Sequence, residues 1–262
     1  MNLPYDKIYF ILYYPGGCGS LIQNLLQTSK KYSNNNVKFD YSDGTAHTVK
    51  NDCFNNFHGI DINDPTIKNY NVKIQKHKPL INALKNYNVL NTYLEKNWKE
   101  LDFVYYSNRI SSLTFYPIID LLPLSKFIYC RINPIVALKN LDTKILTGGI
   151  IYNDDIGSIM LPTHKKNMRE LLLHINYYHI TKKAIEKFII NKKSKNVLIL
   201  DVFDLIYNDN TAEIDKLIKF CNMDVDREVI VKLIHLYRDA QNNLVHNPIW
   251  DKFLIAYDQL NK

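Results

Sequence analysis

Ile8-Tyr9-Phe10-Ile11-Leu12-Tyr13-Tyr14-Pro15-Gly16-Gly17-Cys18-Gly19-Ser20-Leu21-Ile22-Gln23-Asn24-Leu25-Leu26 is the stretch on which the fold is decided. Ile8 to Tyr14 is a continuous apolar and aromatic run, the pattern of a parallel strand covered on both faces. Leu21, Ile22, Leu25 and Leu26 then switch to helical spacing, with Ser20 placed to cap the first turn. Between the two lies Pro15 to Ser20, where glycines let the backbone turn sharply without Cβ clashes. They also let N–H groups converge on an anion that feels the positive end of the helix dipole. A phosphate suits such a corner, Ser20 would add a hydroxyl contact, and Cys18 is expected to pack rather than react. A plain tight turn would leave the same glycine cluster. Position favours the anion, because open α/β sheets place ligands beyond the C-terminal ends of their strands. The turn has no Gly-Lys-Ser/Thr ending, as an ATP-binding P-loop would, and it is not a dinucleotide fingerprint.

Further strands are expected at Val72 to Gln75, Phe103 to Tyr106, Phe127 to Cys130 and Val197 to Leu200, separated by segments of helical period. Such alternation predicts an α/β fold, a parallel sheet flanked by helices on both faces. Lys166 to Asn191 reads as one long helix, with Met168, Leu171, Leu172, Ile175, Tyr178, Ile185, Phe188 and Ile189 on its apolar stripe. Helices are expected to follow at Thr211 to Cys221 and Arg227 to Asn243. No internal repeat and no Gly/Ser or Pro-rich linker interrupts the 262 residues, so residues 1–262 are read as a single domain.

The formal charge of +7 favours an anionic partner. Asn, Lys, Ile and Tyr are used heavily throughout, however, and such a bias raises lysine content with no binding purpose. The basic residues are spread along the chain without a nucleic-acid reader motif, so nucleic acid is not the expected partner. The four cysteines, Cys18, Cys53, Cys130 and Cys221, lack paired spacing, which argues against a zinc site or a secreted disulfide framework and fits a reducing cytoplasm. Lys7 followed by Ile8 to Tyr14 loosely imitates a secretory signal. The run is short, carries three tyrosines and continues into an amphipathic helix, so it is read as fold. No run approaches the roughly 18 apolar residues of a membrane span.

Three segments, in order, resemble the P-loop sulfotransferases. Tyr14-Pro15-Gly16-Gly17-Cys18-Gly19-Ser20-Leu21 is similar to the loop with which that family grips the 5′-phosphosulfate of 3′-phosphoadenosine 5′-phosphosulfate (PAPS), closest to the Pro-Gly-Ser-Gly-Gly form of some microbial and viral members. Ser125 to Pro134 resembles the family's strand ending in Arg-Asn-Pro or Arg-Asp-Pro, followed by a helix that supplies a serine, the arginine and serine together binding the 3′-phosphate. Val197 to Leu205, then Ile214, Leu217, Ile218 and Phe220, is similar to its late Tyr-Glu-Asp-Leu strand and following helix. The departures are specific. The family's loop lysine is Gly16 here. Alignment on Pro134 puts Ile132 at the arginine position and Asn140 at the serine position, so Arg131 serves only if the strand ends before it. The family's C-terminal Arg-Lys-Gly loop has no clear counterpart.

The resemblance implies a transferase moving a sulfuryl group from PAPS to a hydroxyl or amine of a small molecule, glycan or lipid. Gly16, Gly17, Cys18, Gly19 and Ser20 would hold the 5′-phosphosulfate, and Arg131 with Asn140 the 3′-phosphate. His77 is the candidate base, since Lys76-His77-Lys78-Pro79-Leu80 follows an expected strand and resembles the family's Lys-Thr-His-x-Pro segment. An exposed basic turn would look the same. A rival alignment takes Phe103 to Asn108 as the second strand, making His77 a bystander and Arg109, beside Ser107 and Asn108, the phosphate or acceptor contact. No histidine spacing suggests a metal. Two further expectations stand beside the transferase: a catalytically degenerate nucleotide-binding protein of the same fold, and an ATP-dependent small-molecule kinase.

Overall fold

The computed structural model describes residues 8–14, 16–31, 41, 103–107, 124–146, 168–192, 195–244 and 248–260. Within them the apolar runs become neighbouring strands. β1 (Ile8–Leu12), β2 (Phe103–Ser107), β3 (Lys126–Arg131) and β4 (Val197–Asp201) form a four-stranded sheet in the order β2-β1-β3-β4, with every pairing parallel. Ile11 lies opposite Tyr106 on one side and Ile128 on the other. Tyr9 to Leu12 of β1 and Phe127 to Cys130 of β3 are all buried, which explains why neither segment alternates apolar with polar residues. Phe10 and Phe127, partners in the register, stack with ring centroids 5.1 Å apart.

The expected α/β class with a parallel sheet is therefore present. Phe103–Ser107 is the strand hydrogen-bonded to the other edge of β1, as the rival alignment has it. Val72 to Gln75 lies outside the described residues. β1 is shorter than its apolar run. Tyr13 and Tyr14 leave the ladder yet stay buried, Tyr14 stacking on Tyr178 with centroids 4.7 Å apart.

Among the described residues the helices are α1 (Gly19–Leu26), α2 (Pro134–Leu146), α3 (Met168–Lys192), α4 (Val202–Tyr207), α5 (Thr211–Cys221), α6 (Arg227–Asn242) and α7 (Ile249–Leu260). α1 packs on β1, β2 and α6, whereas α2 packs against α3 and α7; α4 and α5 cover the β4 side and also touch α6. All of α1 is buried, including the polar Gln23 and Asn24, and Asn24 donates a hydrogen bond to the Tyr41 hydroxyl at 3.4 Å. None of the described helices is long and apolar enough to cross a membrane.

Two expectations need correction. Ser20 does not cap α1; the cap position is Cys18, and Ser20 lies inside the helix. On α3, Ile175, Tyr178, Ile185 and Ile189 form the buried stripe, but Leu172 is 51% exposed. At 100° per residue Leu172 lies about a third of a turn from the centre of that stripe, too far round to reach the core. Two helices, α4 and α7, go beyond the sequence reading. α4 starts directly at the end of β4, where Asp201 is both the last strand residue and the N-cap, its Oδ1 accepting from Asp204 N at 3.2 Å.

β4 is anchored from below by Glu213 of α5, a buried carboxylate that accepts the Asp201 backbone N–H at 2.9 Å and pairs with Lys216. Glu213→Ala leaves that strand-end amide without its acceptor, and we expect a loss of about 1–3 kcal/mol in urea unfolding. Lys216→Ala, which removes only the exposed partner, should cost less than about 1 kcal/mol in the same measurement.

Candidate functional site

The strand order itself selects one corner of the molecule. Among the described strands, β2 lies on one side of β1 and β3, the following one, on the other, so the direction of winding changes between β1 and β3. In open α/β sheets the helices that follow two such strands diverge, leaving a crevice at the C-terminal strand ends. The glycine turn after β1 and the segment after β3 both lie at this edge.

The turn is built in two steps. Gly17 N donates to Tyr14 O at 2.7 Å, and Gly16 has φ +80, a backbone conformation that favours glycine. Cys18 then takes φ 59 and ψ 24, a left-handed conformation that residues with a Cβ rarely adopt, and Gly19 starts the right-handed helix. Backbones of opposite hand in succession turn neighbouring N–H groups toward the same side, the concave arrangement that receives anions. The Cys18 side chain makes no capping hydrogen bond to α1, whereas Asn133, Asp201, Asn210 and Asp226 cap α2, α4, α5 and α6.

Each glycine answers to a different neighbour. A Cβ on Gly16 would lie 1.8 Å from the Ala137 carbonyl oxygen of α2, and one on Gly19 would lie 2.0 Å from the Tyr13 ring. At Gly17 a Cβ would come within 2.7 Å of the Tyr14 carbonyl oxygen. Position 16 is thus pressed against the α2 backbone and admits no side chain.

Beneath the turn is a small polar cluster. Asn140 of α2, buried, donates from Nδ2 to Gly16 O at 3.1 Å and approaches Cys18 Sγ at 3.7 Å. Cys18 Sγ lies 3.4 Å from the Tyr237 hydroxyl of α6 and 3.7 Å from Gly16 O. Burial, reinforced by Cys18, raises the Tyr237 hydroxyl well above its usual pKa, so it stays protonated. Burial likewise pushes the Cys130 thiol far up, which keeps it from acting as a nucleophile at neutral pH. Cys18 is itself buried and packs, as expected from the sequence.

β3 runs through Arg131, so the strand does not end before it as the alignment required. Arg131 pairs in the register with Asp201, and its Nε donates to Asp201 Oδ2 at 3.1 Å. The side chain is 40% exposed, and among the described residues its terminal amino groups engage no other partner. Ile132 is buried, Asn133 accepts Ile135 N at 2.9 Å, and Pro134 opens α2, a sequence order that suits a capped helix start. No hydrogen bond or ion pair joins Arg131 to Asn140; the first ends β3 and the second lies against the turn. Ser107 ends β2 opposite Leu12, level with the end of β1. His77, Asn108 and Arg109 lie outside the described residues. Among those described, no group of three His, Cys, Asp or Glu side chains is placed to hold a metal ion.

Sequence reasoning missed Tyr237. Its spacing with Ile230, Leu233 and Ile234 puts it on the buried stripe of α6, where a tyrosine reads as core. Compared with known proteins, the chain matches no family model and no curated protein.

Gly16→Ala combines a Cβ at an impossible distance from Ala137 O with a positive φ. We expect it to destabilise the protein by about 4 kcal/mol or more, read as a collapse of the thermal or urea transition. A change under about 1 kcal/mol would mean that the turn is not packed against α2.

Proposed function

We propose that the chain is a sulfotransferase that takes PAPS at the glycine turn and passes its sulfuryl group to a hydroxyl or amine of a small molecule, glycan or lipid. The observation that supports this reading best is the coincidence at one corner of the winding reversal between β1 and β3 and the opposite-handed start of α1 at Cys18. In this reading the backbone from Cys18 to Ser20 receives the 5′-phosphosulfate. β3 runs through Arg131, so the alignment's condition for that residue is not met, but its part-exposed side chain, steadied through Nε by Asp201, would still offer a cation to a second phosphate at the same strand ends. Transfer breaks the bond between sulfur and the oxygen shared with the 5′-phosphate and forms one from sulfur to the acceptor atom. The acceptor's proton goes to a base, for which His77 is the candidate. The leaving phosphate keeps the bonding electron pair and is stabilised by N–H groups and cations held in place beforehand.

The kindred reading, a nucleotide-binding protein without turnover, gains from one observation: position 16 cannot hold the lysine that would steady the bridging oxygen. A catalytic version therefore needs its cation from another segment, with Lys76, Lys78 and Arg109 as the sequence candidates.

Thermal shift distinguishes these readings from the kinase alternative. At roughly a hundredfold excess over Kd, 3′,5′-adenosine bisphosphate and PAPS should each raise Tm by about 5 °C or more. A larger shift with ATP would favour the kinase, and no shift with any of these nucleotides would remove the nucleotide reading. Transfer of labelled sulfate to an acceptor pool then separates enzyme from binder. In the enzyme, His77→Ala should abolish transfer and leave bisphosphate affinity nearly intact; full activity in that variant removes His77 from the mechanism.

A further inference from the structure

We propose that Asn140 and Tyr237 are positioning residues that hold Cys18 in its left-handed conformation and thereby set the affinity of the turn for an anion. The anion is the one assigned above, so this inference rests on that reading and identifies what shapes the site. A cysteine at φ 59 is unusual, because the conformation suits glycine, asparagine or aspartate. A backbone held there persists only when its surroundings over-determine it. Those surroundings are present. The thiol meets the Tyr237 hydroxyl at 3.4 Å, the Asn140 amide at 3.7 Å and the Gly16 carbonyl at 3.7 Å, while the same amide donates to that carbonyl at 3.1 Å.

The partners come from α2 and α6, which pack on different neighbours, so the turn is clasped from two separate parts of the fold. The Tyr237 ring is itself held edge-on against Tyr41, with centroids 5.5 Å apart, which aims its hydroxyl at the thiol. Releasing the thiol or the Gly16 carbonyl lets Cys18 return to a right-handed conformation. That reverses the local hand and turns the N–H groups out of convergence. Neither Asn140 nor Tyr237 needs to touch the ligand for this effect.

The test uses the full chain and the variants Asn140→Ala, Asn140→Ser, Tyr237→Phe and the Asn140→Ala/Tyr237→Phe pair. Iodoacetamide alkylation is followed at Cys18 by peptide mass spectrometry, with the buried Cys130 and Cys221 as internal references. Affinity for 3′,5′-adenosine bisphosphate is measured in parallel. Loss of one buried hydrogen bond should speed Cys18 alkylation and weaken bisphosphate binding by about tenfold each. The references should keep their wild-type rates, Asn140→Ser should recover part of both effects through its hydroxyl donor, and the pair should fall short of the product of the single effects. An unchanged Cys18 rate, or a rise matched at Cys130 and Cys221, overturns the clasp. Faster Cys18 alkylation with unaltered bisphosphate affinity overturns its role in binding. A wild-type protein that does not bind the bisphosphate, with Cys18 still responding to the variants, leaves the clasp standing and overturns the nucleotide reading.

Discussion

The backbone of the glycine turn lies directly on the backbone of α2, so closely that a methyl group at Gly16 would overlap the Ala137 carbonyl oxygen. From this contact the rest of the corner follows. Because the turn is pressed on α2, Asn140 three residues along that helix can reach the Gly16 carbonyl, and the chain must leave the turn through a left-handed residue before α1 can begin. Because α1 then enters the core with every residue buried, its direction is fixed by packing on β1, β2 and α6 rather than by a capping side chain. In the proposed reading, a corner positioned by interlocked backbones would need little reorganisation when a ligand arrives.

The same contact separates the roles of the two residues grouped by the alignment. Arg131 is a cation at the C-terminal end of β3, its Nε tied to Asp201 and its side chain part-exposed. Asn140 is a buried amide whose donor is directed to main chain. In the proposed reading, one would meet an anion directly and the other would shape the turn.

How much of this was legible in the sequence depended on whether periodicity or conformation carried the information. β1, β3 and β4 and the helices α3, α5 and α6 were readable because apolar runs and stripes of period 3.6 report burial directly. Phe103–Ser107 was readable as a strand, but its place beside β1 was open until its pairing was seen. The glycines announced a turn without saying which contacts required them. Ser20 looked like the cap because serine has the right chemistry, whereas the residue in the cap position is a cysteine whose positive φ leaves no trace in composition. Tyr237 was hidden for the opposite reason: it obeys the helical stripe so well that its hydroxyl drew no notice. Short α4 was read through as an extension of the β4 motif, since six residues carry too little period to separate helix from strand.

Placing β1 between β2 and β3 has a consequence for how the chain emerges during synthesis. The most apolar strand leaves the ribosome well before either of its hydrogen-bonding partners, which lie far downstream at Phe103–Ser107 and Lys126–Arg131. At about 5–20 residues per second it waits for seconds with both edges open. During that interval Ile8–Leu12 is a short, uncharged segment of strong β-propensity, the kind that chaperones bind and that seeds aggregation when they do not.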